Sequence, residues 1–227
     1  MSDKGLGKVW SRFDSKRKDG SVVKLRIEDF PRNRLNEAFE FMKDHYIGEE
    51  AFHEAAGIIK SEEALKEYVE MMNLLYSHTP CHMVYCRVDD ESDDAEIAGL
   101  SVMQLSRKSD KLEELLKHLQ LKTKEMQKFM GIINVLEDFS RLKTYEVYYD
   151  GRGVMVNTGY RGLGIANEFV RLRKIICIEE DIPVTSAWMT AIGTQKAAQK
   201  NGWKILGEIS AEELGKRSGL HFGTKTP

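Results

Sequence analysis

Apolar residues along the chain fall into short runs whose spacing alternates between strand-like and helix-like periods, and that alternation predicts the elements. Val22, Val23, Leu25 and Ile27 partly alternate with polar neighbours and predict a first strand, ending before Asp29 and Pro31. Leu35, Ala38, Phe39, Phe41 and Met42 recur at helical steps and predict a helix that runs up to Gly48. Ser61, with Glu63 and Ala64 behind it, opens a second helix. Its Leu65, Tyr68, Val69, Met72 and Leu75 mark one face, and Pro80 closes it.

Residues 82–88 and 97–105 read as two strands of a hairpin, joined by an acidic, solvated turn at 89–96. Residues 109–142 are helical in period, through Met126, Phe129, Met130, Ile133 and Leu136, with one break near 121–123. Residues 145–157, rich in tyrosine, valine and methionine, predict a strand that Asp150, Gly151 and Gly153 interrupt with a bulge or kink. After it come a helix at 161–180, a strand at 184–189, a short helix at 194–201 and a strand at 203–209. The tail from 211 to 227 is expected to add an edge strand around His221 and Phe222.

This order mixes antiparallel pairs early with strand–helix–strand units later, which predicts an α/β (α+β) fold on a mixed central sheet of about seven strands flanked by helices. Residues 1–20, with Val9, Trp10 and Phe13 as apolar anchors, are expected to form a loosely held leader, and residues 21–227 a single domain.

Composition narrows the function classes. A chain of 227 residues that is 41% hydrophobic can bury a sizeable core. Its 34 lysines and arginines nearly balance 36 aspartates and glutamates, so no global field draws it to nucleic acid or an anionic membrane, and an anionic ligand must meet a local site. No apolar run approaches the roughly 20 residues that span a bilayer, and the N-terminus lacks an apolar signal core, so a cytoplasmic location is expected. Cys81, Cys86 and Cys177 are odd in number and lack zinc-site spacing, so no metal is expected even with His78 and His82 beside Cys81. Cys177 falls in a helical stripe with Ile175, Ile176 and Ile178, which argues against a nucleophilic cysteine.

The sharpest chemical feature is residues 154–166, a strand that runs through Gly159, Gly162 and Gly164 into a helix. Such a turn aims backbone N–H groups at a ligand at a helix N-terminus, where the dipole favours negative charge, and Arg161 adds a charged donor, so a pyrophosphate fits there. A dinucleotide fingerprint requires a third glycine that the spacing does not supply, and the P-loop lysine pattern is absent.

Arg161, Gly164 and Ala166 after a strand resemble motif A of the GCN5-related N-acetyltransferases, and Tyr160 to Ile165 is similar to the Y-R-G-x-G-I of their insect arylalkylamine N-acetyltransferase-like group. The resemblance extends over about residues 21–209. Residues 45–52 resemble the segment that carries the family's catalytic glutamate, here Glu50, with Ala51 in place of the usual proline. Thr190 and Thr194 stand before Gln195 and Lys196 where relatives carry two hydroxyl residues, usually serines, and Lys200, Gly202 and Trp203 match a following Lys-x-Gly-aromatic step.

The resemblance implies the GCN5-related fold and acetyl-CoA as cosubstrate, held by Met155 and Val156 on the strand and by Arg161, Gly162, Leu163, Gly164, Ile165, Ala166 and Lys196. It implies direct acetyl transfer in a ternary complex to a small primary amine, an arylalkylamine such as dopamine, serotonin or tyramine. Agmatine or polyamine acceptors and a non-catalytic CoA-binding module stay open. Because the amine arrives as an ammonium, a base must remove a proton. Glu50, beside Tyr46 and Phe52, is expected to do so with a raised pKa, while Thr190 and Thr194 serve the departing thiolate and Tyr46, Glu49 and Tyr149 line the acceptor pocket. A monomer or weak homodimer is expected.

Overall fold

The computed structural model describes residues 7–90, 92, 95–110, 115–117, 119–139 and 142–223. Among them six strands form one sheet in chain order, one fewer than expected: β1 (Val9–Lys16), β2 (Val22–Asp29), β3 (Cys81–Val88), β4 (Gly99–Arg107), β5 (Val147–Val156) and β6 (Thr185–Ser186). Pairing is antiparallel from β1 to β5 and parallel between β5 and β6. Seven helices flank the sheet among the described residues: α1 (Leu35–Met42), α2 (Ala51–Ala56), α3 (Glu62–His78), α4 (Lys124–Glu137), α5 (Ile165–Glu179), α6 (Ile192–Lys200) and α7 (Ala211–Ser218).

The sheet separates two apolar layers. On one face Leu100, Val102, Tyr85 and Met155 meet α1, α2, α3, α4 and α7 through residues such as Met42, Ile58, Met72, Met126, Ile132 and Leu214. On the other, Leu25, Ile27, Val84, Cys86 and Leu105 meet Leu163, Ile165, Phe169, Leu172 and Ile176 on and just before α5. Caps match the helix starts read from the chain: Ser61 Oγ accepts from Ala64 N at 3.2 Å, and Thr123, at the expected break, caps α4.

Several sequence expectations are corrected. Residues 9–16 are not a loose leader but an edge strand, paired from Val9 opposite Glu28 to Lys16 opposite Val22. Trp10 and Phe13 pack on the α5-side layer, and Trp10 Nε1 donates to Asp29 Oδ1 at 2.5 Å. The strand expected at 184–189 shortens to Thr185–Ser186, and 203–209 forms no strand, its Ile205 turned to solvent. The tail forms α7 instead of an edge strand, because Ser210 Oγ caps it by accepting from Glu213 N at 3.1 Å and Leu214 enters the core. The helix expected from 161 begins only at Ile165, since Gly162 and Gly164 both lie at φ +81°.

The bulge expected in β5 is present, and it changes which way the strand faces. Val102 pairs with Gly153 but Met103 pairs with Gly151, which leaves Arg152 as one extra residue. Before it, Val147 and Tyr149 face the α5-side layer; after it, Val154 and Val156 do so and Met155 faces the other.

On the α5 side, His82 lies between two carboxylates, with Nδ1 2.5 Å from Glu180 Oε1 and Nε2 3.2 Å from Asp29 Oδ1, which ties β2 and β3 to the end of α5. Burial opposes its charge, but the bonds and charges of Asp29 and Glu180 raise its pKa overall. The stability this clamp adds is complete below the ordinary histidine pKa of about 6.5 and fades as pH climbs through the raised folded value. His82→Asn is expected to flatten the loss of Tm on the mildly alkaline side. A variant whose Tm falls with the wild-type slope from about pH 6 to pH 9 would remove His82 as the cause.

Candidate active site

β5 and β6 pair only through Tyr149 with Thr185 and Asp150 with Ser186. Beyond that point β5 stays with β4 as far as Val156, while the chain after Ser186 leaves the sheet, so among the described residues no strand pairs with the edge of β5 beyond the bulge. Asn157 N donates to Ala98 O at 3.0 Å, and the alternation of an antiparallel ladder then turns the N–H groups of Met155 and Gly153 toward β4 and those of Val154 and Val156 toward the open edge. The donors presented to a ligand along this edge are thus those of Val154 and Val156. Met155, expected to bind cofactor, puts its side chain in the core.

The glycine turn lies at the far end of this edge. Asn157 Oδ1 accepts from Gly159 N at 2.9 Å, which folds the chain into a single turn at Thr158–Tyr160. Gly162 and Gly164 then take left-handed backbone, with nothing within 4 Å of where a Cβ would sit. Leu163 and Ile165 are buried in the α5-side layer, so they anchor the turn with their side chains and leave only backbone for a ligand. The start of α5 has no side-chain cap. An uncapped, glycine-opened helix start beside a free strand edge fits the phosphate and arm of a CoA-type molecule. Ala166 lies in the first turn of α5, and Lys196 is exposed on α6.

Glu50 is the N-cap of α2 and is 9% exposed. Its Oε2 accepts from Phe52 N at 2.9 Å and His53 N at 3.1 Å and lies 2.6 Å from His53 Nδ1; its Oε1 accepts from Thr190 Oγ1 at 2.8 Å. Burial alone pushes its pKa up, and this is the largest single influence. The His53 ring, the backbone N–H and Thr190 together outweigh it and hold the carboxyl below its ordinary range. The raised pKa expected from the apolar surroundings is therefore corrected: Glu50 sits in a nest of donors.

The remaining expected residues divide. Tyr46 comes to the bulge, where a Cβ on Gly153 would sit 3.4 Å from its Cζ. Thr190 meets Glu50, but Thr194 bonds Ala191 O at 2.9 Å inside the first turn of α6. Glu49 is exposed and ion-pairs with Arg161 at 2.6 Å, and Arg161 Nε also holds Val156 O at 3.2 Å, so this pair closes the turn on itself. Tyr149 is corrected as a pocket residue: its ring lies in the α5-side layer, opposite Tyr46, and its hydroxyl donates to Glu180. Burial pushes the Cys177 thiol up to about 11, so it stays protonated and inert. No group of three or more His, Cys, Asp or Glu side chains that suits a metal occurs among the described residues.

Two residues escaped the sequence reading. His53, 3% exposed, stacks on Phe129 at 4.8 Å and meets Tyr68 edge-on; its signal was the three-residue step from Glu50. Arg173, 1% exposed, lies on the buried stripe of α5 with Phe169 and Ile176, where an arginine is out of pattern.

The fold is that of solved GCN5-related N-acetyltransferases. A protein assigned as arylalkylamine N-acetyltransferase 7 of the yellow fever mosquito Aedes aegypti matches with a TM-score of 0.81 and 24% identity, over 99% of this chain and 93% of its own. A Drosophila melanogaster polyamine N-acetyltransferase that forms N-acetylagmatine matches at 0.67 and 11%, over 89% and 95%. A mosquito arylalkylamine N-acetyltransferase like 5b matches at 0.64 and 15%, over 82% and 86%. No protein-family model and no curated protein sequence matches the chain.

Two outcomes are expected at this site. His53→Phe keeps the stack on Phe129 but removes the donor, so the Glu50 pKa should rise; carboxyl NMR titration would show it, and an unmoved Glu50 would assign the depression to the backbone and Thr190 alone. Gly164→Ala forces a side chain into left-handed backbone and should cost about 1 kcal/mol in urea unfolding. A neutral result would mean that the turn relaxes freely.

Proposed function

We propose that the chain transfers an acetyl group from acetyl-CoA to a small primary amine, with arylalkylamines as the first class to test. The observation that carries the reading is the hydrogen bond from Thr190 to Glu50, which brings a buried carboxylate to the segment that parts from β5 after Ser186. Acetyl-CoA supplies the activated thioester carbonyl, and the chain's residues supply the rest. The uncapped start of α5 and the backbone of residues 162–166 hold phosphate. The open edge of β5 donates to the arm and to the oxygen on which negative charge builds during attack.

Thr190 Oγ1 donates a hydrogen bond to Glu50, so its lone pairs are left to accept from the incoming ammonium. Moving a proton from an ordinary amine to an ordinary carboxylate costs roughly 8 kcal/mol, and Glu50 lies lower still. Glu50 therefore relays the proton and does not keep it: it draws in the cation and aims Thr190. The ammonium loses its proton through this pair and water to solvent before the freed lone pair attacks the thioester carbonyl. The tetrahedral adduct then breaks its C–S bond and releases CoA thiolate, which takes a proton from water. The part-buried rings of Tyr46 and Phe52 next to this pair favour an aryl group on the amine.

The test is thiol release from acetyl-CoA across arylalkylamines, agmatine and polyamines, with Glu50→Gln beside the wild type. Turnover of arylalkylamines is expected, reduced about a hundredfold in kcat/KM by Glu50→Gln. Because Glu50 is ionised throughout the neutral range, the variant should lower the pH profile without changing its shape from about pH 5 to pH 8. Preference for agmatine or polyamines would reassign the acceptor, and tight acetyl-CoA binding with no turnover would replace the enzyme by a binding module.

A further inference from the structure

Among the described residues Arg173 is the largest fully buried side chain and forms no ion pair. Burial of this kind is costly for a cation. It pushes the guanidinium down to about 10, so the group stays charged at neutral pH, with Asp150 as its main favourable charge at longer range.

Its hydrogen bonds go to one place. Nη2 donates to Gly153 O at 3.0 Å, Val102 O at 3.3 Å and Ser101 Oγ at 3.3 Å, and Nε lies 3.4 Å from Ser101 Oγ. Val102 and Gly153 are the last pair before the register breaks at Arg152. Nη1 makes no hydrogen bond among the described residues. It lies so close beneath Gly151 that a Cβ there would collide with it, and the same Cβ would come 2.7 Å from Ala187, where β6 has just ended. The guanidinium thus sits under the point where β5 bulges and β6 departs, while the Tyr46 ring covers Gly153 from the opposite face.

We propose that Arg173 is a positioning residue for acyl transfer: its hold on the Gly153 carbonyl sets the direction and donor strength of the next amide, Val154 N–H, on the open edge of β5. The two groups belong to one planar peptide, in which C=O and N–H point opposite ways, so fixing the carbonyl toward β4 fixes the N–H toward the gap. A charged donor on the carbonyl also polarises the peptide and makes its N–H a stronger donor to a developing oxyanion. Arg173 touches no reacting atom and acts only through this peptide. The inference rests on the proposed acetyl transfer.

The experiment compares kcat and KM of wild type, Arg173→Met and Arg173→Lys on the amine that the wild type turns over best, well below each variant's Tm. Backbone NMR of Val154 is recorded on the same samples. Arg173→Met retains much of the buried volume without the donors and should lower kcat on the order of a hundredfold, the scale of a small misplacement of a reacting group. KM for acetyl-CoA should change by less than about threefold, since the pyrophosphate turn is untouched. The Val154 amide resonance should shift, and Arg173→Lys should recover part of kcat and of the shift. Wild-type kcat in a folded Arg173→Met, or an unmoved Val154 amide, would overturn the inference and leave the acetyltransferase reading standing. Absence of turnover in the wild type on every amine would overturn both. Should Arg173→Met not fold, Arg173→Lys decides alone: unaltered kcat and Val154 resonance overturn the proposal, and a drop in kcat at constant KM with a shifted resonance supports it.

Discussion

The structure turns on one extra residue. Arg152 has no register partner on β4, although its Nε donates to Gln104 Oε1 there, and because strand side chains alternate, that single insertion exchanges the two faces of β5 for the rest of its length. Tyr149 can therefore belong to the layer under α5 and Met155 to the layer under α1–α4, although both numbers are odd. The glycines on either side are part of the same constraint: Gly151 must clear Arg173 and Ala187, and Gly153 must clear Met155 and Tyr46. Without the bulge the strand would turn its apolar residues to the wrong layers, and the donors of its outer edge would not lie where β6 leaves them unpaired.

Charge is handled around this bulge in two contrasting ways. Glu50 is buried yet held in its ionised form by four donors from α2, its own flank and Thr190. Arg173 is buried yet meets carbonyls and a hydroxyl in place of a counter-ion. In both cases fixed dipoles replace water, so the groups are already oriented when a ligand arrives, which is the arrangement that electrostatic catalysis requires. The aromatic surroundings of His53 serve the same end by fixing the ring that bonds Glu50.

Much of the site was legible from the chain. The glycine spacing from Gly159 to Gly164 and the bulge signal at Gly151 and Gly153 are local patterns, whereas Glu50 and Thr190 were expected from a family resemblance, and the structure brings those two side chains together. What misled was the apolar character of residues 203–209 and of the tail. Ile205 and Leu206 look like strand residues, but a strand forms only when a neighbour offers a ladder, and none is beside them. The edge strand β1 was missed for the converse reason: its few apolar residues gave a weak pattern, and its pairing with β2 supplied the rest.

By itself the sequence determined α1, α3, α4, α5 and α6, the hairpin, the interrupted strand and the glycine turn, because these depend on periodicity and backbone permission within a few residues. Only the tertiary structure decided which side chains of that strand meet which layer, that Thr190 reaches Glu50 across 140 residues of chain while Thr194 does not, and that Arg173 ends beneath the bulge. It also decided the sign of the Glu50 shift. Apolar neighbours in the sequence suggest a raised pKa, but the value depends on how many donors the fold brings within hydrogen-bond reach, and that is a property of packing between distant segments.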